Sequence, residues 1–206
     1  MSRYAHLAYT DSVRHVQEEQ GSARAVGRAL AGPADEPDLL GEAERGFIAS
    51  RDGFYLGSVS ETGWPYIQYR GGPQGFVHVL DERTLAFADV RGNRQYITVG
   101  NVREDRRVAL FFMDYARQAR LKILGRAEVK SAEEYPALAR RLEEVRTDGR
   151  VERLLEIRVE GLAWNCHQHI TPRYTAEEVD QATLPLRRRL AELEEENARL
   201  RARLDH

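Results

Sequence analysis

The stretch Leu85-Ala86-Phe87-Ala88-Asp89-Val90-Arg91-Gly92-Asn93-Arg94-Gln95 decides how this chain reads. Leu85 to Asp89 is a β-prone run, Gly92 permits a tight turn, and the pattern over residues 93–102 predicts a helix. The first backbone N–H groups of a helix lack partners and attract anions. Arg94 adds a fork-shaped phosphate donor, and Asn93 adds an amide or a cap. Two readings stay open from spacing alone. Either this turn cradles a phosphate, or Asn93 only caps the helix and Arg94 is solvated.

Working outward, short β-prone runs with turn signals flank this segment. Phe54 to Ser60, Pro65 to Arg70 and Phe76 to Leu80 precede it, separated by Glu61-Thr62-Gly63 and by Gly71-Gly72-Pro73-Gln74-Gly75. Val108 to Met113, Arg120 to Val129 and Glu152 to Leu162 follow it. Close turn spacing of this kind predicts an antiparallel sheet or barrel. Ser131-Ala132-Glu133-Glu134 has the form of a capping box opening a helix to about Val145. Residues 1–41 read as loosely committed helices, one capped by Thr10 or Asp11 and one over Ala23 to Leu30, before a break at residues 32–37. Residues 42–174 hold the barrel pattern. Residues 175–206 read as a C-terminal helix with Leu186, Leu193 and Leu200 at heptad d positions and Leu190, Asn197 and Leu204 at a. A lone Asn at a, with Arg189 placed to face Glu194 and Glu196 to face Arg201 of another chain, predicts a short parallel coiled coil. A helix packed on its own domain is the competing reading.

The composition excludes several classes. The 206 residues carry 31 basic and 33 acidic side chains, a net charge of −2, which argues against a polyanion or membrane-surface binder. No apolar run is long enough to span a bilayer, and the first residues lack the apolar core of a secretory signal. The single cysteine, Cys166, forms no internal disulfide, and a reducing, cytoplasmic setting is expected. The balance hides an asymmetry. Asp89 to Arg126 holds nine cations against four anions, a surplus of five, so the remainder carries −7. That suggests a cationic pocket for a small anion.

Three other groups merit attention. On a strand, Gln68 and Arg70 share a face and either bind a flat polar ligand or face water. Arg120 and Lys122 point to one side of their strand and Leu121 to the other. Cys166 with His167 and His169 lacks the partner set of a closed metal site, so no metal is expected.

Taken together, Gly53-Phe54-Tyr55-Leu56-Gly57-Ser58-Val59, Gly63-Trp64-Pro65-Tyr66-Ile67-Gln68-Tyr69-Arg70-Gly71-Gly72-Pro73 and Leu85 to Gln95 resemble the pyridoxamine 5'-phosphate oxidase-like, FMN-binding split-barrel family. So do Arg120 to Ala127 and Trp164-Asn165-Cys166 with Gln168 to Arg173. The resemblance implies an α+β fold, mainly β: a six-stranded antiparallel split barrel with flanking helices. It implies a homodimer with FMN at the interface. Gln68, Tyr69 and Arg70 would lie along the flavin, Ala88 and Asp89 near its ring or ribityl chain, and Asn93, Arg94 and Gln95 at its phosphate. Gln118 and Arg120 would reach in from a neighbouring strand, and Trp164 from the partner subunit. The implied activity is that of an FMN-dependent oxidoreductase acting on a small-molecule substrate. Alternatives are a flavin carrier, sensor or electron-transfer protein, or an F420-dependent reductase, since the family includes F420 binders. No general acid or base stands out. Gln95 replaces the lysine of true pyridoxamine phosphate oxidases, and their C-terminal Arg-x-His motif has no clear counterpart, which argues against vitamin B6 oxidation.

Overall fold

The computed structural model describes residues 3–27, 30, 35–164 and 168–204. The β-prone runs form strands β1 (Gly53–Val59), β2 (Pro65–Gly71), β3 (His78–Val79), β4 (Thr84–Val90), β5 (Arg107–Asp114), β6 (Ala119–Lys130) and β7 (Val151–Trp164). They make one sheet in the order β2-β1-β5-β6-β7-β4-β3, with antiparallel pairing between neighbours. Seven strands are present where six were expected, because the run Phe76–Leu80 contributes only a two-residue ladder to the edge of β4. Phe76 and Val77 leave the ladder and bury their side chains in the core.

Period-2 alternation drives the packing. β1 buries Phe54, Leu56 and Ser58, and β5 buries Val108, Leu110 and Phe112 on the facing side. At the centre Phe54 stacks on Phe112 at 4.8 Å and meets Phe87 edge-on at 5.5 Å. The sheet bends where the register shifts at Leu124/Gly125. A Cβ at Gly125 would lie 2.7 Å from the Arg158 carbonyl oxygen, so this bend needs glycine.

The curl has a consequence. β2 and β4 are not neighbours in the sheet, yet the Arg70 guanidinium of β2 bonds Asp89 of β4 at 2.7 Å and lies 5.8 Å from the Phe87 ring centre. The sheet therefore rolls until two unpaired strands approach, leaving a split between them.

Helices α1 (Arg3–Ala8), α2 (Asp11–Glu19), α3 (Ala23–Gly27) and α4 (Glu42–Ala49) precede the sheet. Thr10 caps α2 by accepting from Val13 N–H at 3.4 Å. α1 is more firmly held than its sequence suggested. The Asp38 carboxylate accepts from the N–H groups of Arg3, Tyr4 and Leu162, and Arg3 pairs with Glu160 at 2.9 Å. α3 covers Ala23–Gly27 of the expected Ala23–Leu30, while residues 28, 29 and part of the break at 32–37 lie outside the described residues.

Two helix starts differ from expectation. α5 spans Ile97–Glu104 rather than 93–102, because Arg94 (φ 64°) and Tyr96 (φ 52°) adopt left-handed conformations that a helix cannot contain. α6 spans Pro136–Glu143. Ser131 uses its hydroxyl locally, accepting from Glu133 N–H at 3.2 Å, and Pro136 takes the first-turn position where its missing N–H costs nothing. α7 runs from Ala176 to Leu204 and buries no side chain. No helix among the described residues is long and apolar enough to cross a membrane.

Phe54 sits at the middle of the aromatic cluster, fully buried. Phe54→Ala is expected to cost about 3–5 kcal/mol in chemical denaturation, from lost burial and the cavity left behind. A loss below about 1 kcal/mol would show that this cluster does not organise the core.

Candidate functional site

The split in the barrel opens into a cleft of about 180 Å³ between β2, β4, β7 and the turn before α5. β2 supplies Tyr66, Gln68 and Arg70. Strand alternation puts these three on the inner side, as the shared-face reading required for Gln68 and Arg70. β4 and its turn supply Asp89, Val90, Gly92, Asn93, Arg94, Gln95 and Tyr96, and α5 supplies Thr98.

Asp89 organises the charges. It is buried, and its two oxygens accept from Arg70 at 2.7 Å and from Arg153 at 3.0 Å. Arg153 comes from β7, directly opposite Asp89 in the β4–β7 register. Burial pulls the Arg153 guanidinium down from its ordinary value. The Asp89 charge and the bonds to Asp89 and Glu152 outweigh that and raise it. Partial desolvation pushes Glu152 up, and hydrogen bonds from Tyr96 and Arg153 outweigh it, so its carboxyl lies below its ordinary value. Arg153 also lies 4.7 Å over the Tyr96 ring, and Tyr96 hydroxyl donates to Glu152 at 3.4 Å. These contacts hold the left-handed Tyr96 in place. Such strain persists where surroundings over-determine it, as at functional sites.

The turn is built locally. Asn93 Oδ1 accepts from Gln95 N–H at 3.2 Å, so the side chain orders the turn rather than capping α5. Arg94 is exposed beside Tyr96, whose hydrogen bond raises it above the ordinary arginine value. Thr98 hydroxyl donates to Gln68 Oε1 at 2.9 Å, which leaves the Gln68 amide hydrogens as donors. Asn101 donates to Ser58 at 2.9 Å and anchors α5 on β1.

The cleft lining carries three guanidinium groups, Arg70, Arg94 and Arg153, against one carboxylate, Asp89. That leaves two positive charges in surplus within the lining, although Arg153 is also paired with Glu152 just outside it at 2.9 Å. The Nε of Arg70 is also buried without a hydrogen-bond partner. A buried donor without an acceptor is costly unless a ligand or water supplies one.

Of the residues singled out in the sequence, Gln68, Arg70, Asp89, Asn93, Arg94 and Gln95 converge on this cleft. Tyr69 and Ala88 do not, because alternation turns them away. Tyr69 lies on the opposite face of β2, and burial raises its phenol above the ordinary value. Ala88 is packed in a small core with Leu142 and Leu154. Gln118, Arg120 and Trp164 lie at the far ends of β6 and β7. Gln118 donates to the Ile170 carbonyl at 2.7 Å. The Arg120 Nε is buried without a partner. Trp164 meets Phe47 edge-on at 4.8 Å and donates to Glu44 at 2.6 Å. The Asn165-Cys166-His167 part of the rejected metal motif lies outside the described residues.

Sequence reasoning missed Arg153, Tyr96 and Thr98. Nothing near Arg153 marks it, and its role emerges only from the β4–β7 register. The cationic segment Asp89–Arg126 is also less focused than its charge suggested. Arg107 pairs with Asp105 and Arg126 with Glu160, away from the cleft. The Arg107 hydrogen bonds lower the Asp105 carboxyl to about 2.

A larger cleft of about 660 Å³ lies elsewhere, lined by Tyr55, Tyr69, Tyr115 and the ion pair Arg51–Asp114 at 2.8 Å. Its charged lining is Arg51 and Arg173 against Asp52, Asp114, Glu177 and Glu178. Two negative charges in surplus make it the wrong sign for a phosphate.

The family model described as pyridoxamine 5'-phosphate oxidase matches residues 40–163, more than half of the chain. The chain belongs to this family. Among solved structures, Group A Streptococcus HupZ is 16% identical with a TM-score of 0.49, covering 65% of this chain and 98% of that one. A putative pyridoxamine 5'-phosphate oxidase from Lactobacillus delbrueckii is 21% identical with a TM-score of 0.48, covering 62% and 96%. An F420 reductase is 17% identical with a TM-score of 0.41, covering 58% and 94%. No curated protein matches.

Asp89→Asn should destabilise the fold by about 3 kcal/mol in chemical denaturation, because Arg70 and Arg153 lose their shared counter-charge. Glu152→Gln, at the more open edge, should cost measurably less. Equal losses would show that Asp89 is not the organising charge.

Proposed function

We propose that this chain is an FMN-binding flavoprotein, an oxidoreductase acting on a small organic substrate, working as a homodimer with the cofactor at the interface. One observation carries the reading: a family cleft whose lining has surplus positive charge, with Arg94 exposed at its turn and a buried, unpartnered donor on Arg70. A nucleotide phosphate near neutral pH carries close to two negative charges and three acceptor oxygens. Charge and donor set fit it.

When bound, the flavin supplies hydride or electron transfer, and the protein binds and tunes it. Arg70 and Arg94 donate to the phosphate. Asp89 fixes the Arg70 and Arg153 forks so that they need no reordering on binding. Gln68 presents its amide hydrogens along β2, held by Thr98.

The homodimer reading rests on size and surface. A cleft of about 180 Å³ is smaller than the roughly 300–1,000 Å³ of pockets that enclose whole ligands, so it covers only part of a flavin and a second copy would cover the remainder. The outer face of β1 and β2 exposes Tyr55, Ile67 and Tyr69, with Trp64 beside them at the hairpin, an apolar patch suited to an interface. Trp164, Gln118 and Arg120 lie away from this chain's own cleft, which fits a contribution to the cleft of a partner.

The purified protein should be yellow with a flavin spectrum. A deazaflavin spectrum would replace FMN by F420, and colourless protein with negligible FMN affinity would sink the proposal. Bleaching by a reduced nicotinamide or a substrate panel would separate an enzyme from a carrier. Arg70→Ala should weaken FMN binding by about 1.5–3 kcal/mol, the scale of a hydrogen bond to a charged group, and Arg94→Ala should act in the same direction. Unchanged affinity in both would refute the phosphate assignment. No histidine among the described residues lines the cleft, so FMN affinity should fall between about pH 7.5 and 5 as the phosphate gains its proton near pH 6.

A further inference from the structure

The barrel and its cleft leave α7 unexplained. It has 29 residues, so it is about 43 Å long, and none of its side chains is buried. A helix whose leucine stripe served its own domain would bury that stripe. Here Leu186, Leu190, Leu193, Leu200 and Leu204 are all well exposed. A solvated helix with this many exposed leucines lacks the partner its pattern calls for.

We propose that α7 pairs with α7 of a second copy of this chain as a parallel, in-register, two-stranded coiled coil. The seam is longer than the leucines alone indicate. The helix starts at Ala176, so Val179 and Thr183 continue the heptads as d and a, and the pattern reaches from Val179 to Leu204, close to four heptads. Pro185 falls at an outer c position, so its ring stays away from the seam.

Three features select a second copy in this arrangement. Asn197 is the one amide among the a positions, where two amides facing each other satisfy one another in register in a two-stranded assembly. Arg189 at g faces Glu194 at e of the other chain, and Glu196 at g faces Arg201 at e. Both pairs attract in a parallel dimer. In the single chain Arg189 bonds Glu192 at 3.0 Å, an exposed pair that contributes little and yields readily. Four heptads are modest alone, but any contact between the barrels raises the effective concentration of one α7 near the other.

The pairing also bears on the larger cleft. Thr175, Glu177, Glu178 and Gln181 wall that cleft, and the seam begins at Val179 among them. Two copies joined through α7 therefore bring their acidic, tyrosine-lined clefts to the same axis. This inference does not depend on flavin binding.

The test uses full-length protein carrying Cys166→Ser, with Leu186→Cys, Leu200→Cys or Arg188→Cys added singly. Leu186 and Leu200 are d positions two heptads apart, and Arg188 is an outer f position. Mild oxidation should convert most of the Leu186→Cys and Leu200→Cys chains to disulfide-linked dimers, leaving Arg188→Cys chiefly monomeric on a non-reducing gel. A parallel in-register pair is the arrangement in which both d positions meet their own copies. If neither links more than Arg188→Cys, or only one of them does, the proposal is overturned. Flavin content is read separately on the same samples, so failure here and failure of the cofactor assignment are distinguishable.

Discussion

The ion cluster Arg70–Asp89–Arg153 is the interaction on which the rest depends. It joins three strands, β2, β4 and β7, of which β2 and β4 share no ladder. A rolled sheet that closed fully would pair those strands and leave no room. A sheet held apart by long arginine side chains stays split, and the split is the cleft. Breaking such a cluster is costly because buried Asp89 is shared by two cations, and only Arg153 has a second carboxylate, Glu152, to turn to. The same atoms therefore shape the fold and set the charge of the site.

Sign decides between the two clefts more reliably than size. The larger one has more than three times the volume, yet its lining is acidic, and Arg51 is already committed to buried Asp114. The smaller one has surplus cations, one of them with a buried donor still to be satisfied. A phosphate would gain charge-assisted hydrogen bonds in the second and meet repulsion in the first.

Much of this was legible in the sequence. β-prone runs bounded by turn signals located the main strands within a residue or two, and the period of a strand put Gln68 and Arg70 on one face. The turn at Gly92–Gln95 was legible for the same local reason. What was not legible is either long-range or conformational. Arg153 matters through a register 64 residues away from Asp89. The start of α5 moved because Arg94 and Tyr96 adopt left-handed backbones that few non-glycine residues visit, held there by partners that composition does not reveal. The resemblance named Tyr69 and Ala88 beside Gln68, Arg70 and Asp89, but the pleat that turns one neighbour to the cleft turns the next away. The heptads of α7 were visible in the sequence, but only the structure shows that no side chain of its own barrel covers them.

The central claim is that the split in the barrel is a phosphate site within a flavin site. The measurement that tests it most directly is a calorimetric titration of cofactor-free protein with FMN and, separately, with riboflavin, which carries the same ring without the phosphate. The account predicts that FMN binds at least about tenfold more tightly, the worth of one hydrogen bond to a charged group. Equal affinity for the two would contradict it, because the surplus charge around Arg70 and Arg94 would then do nothing for the ligand.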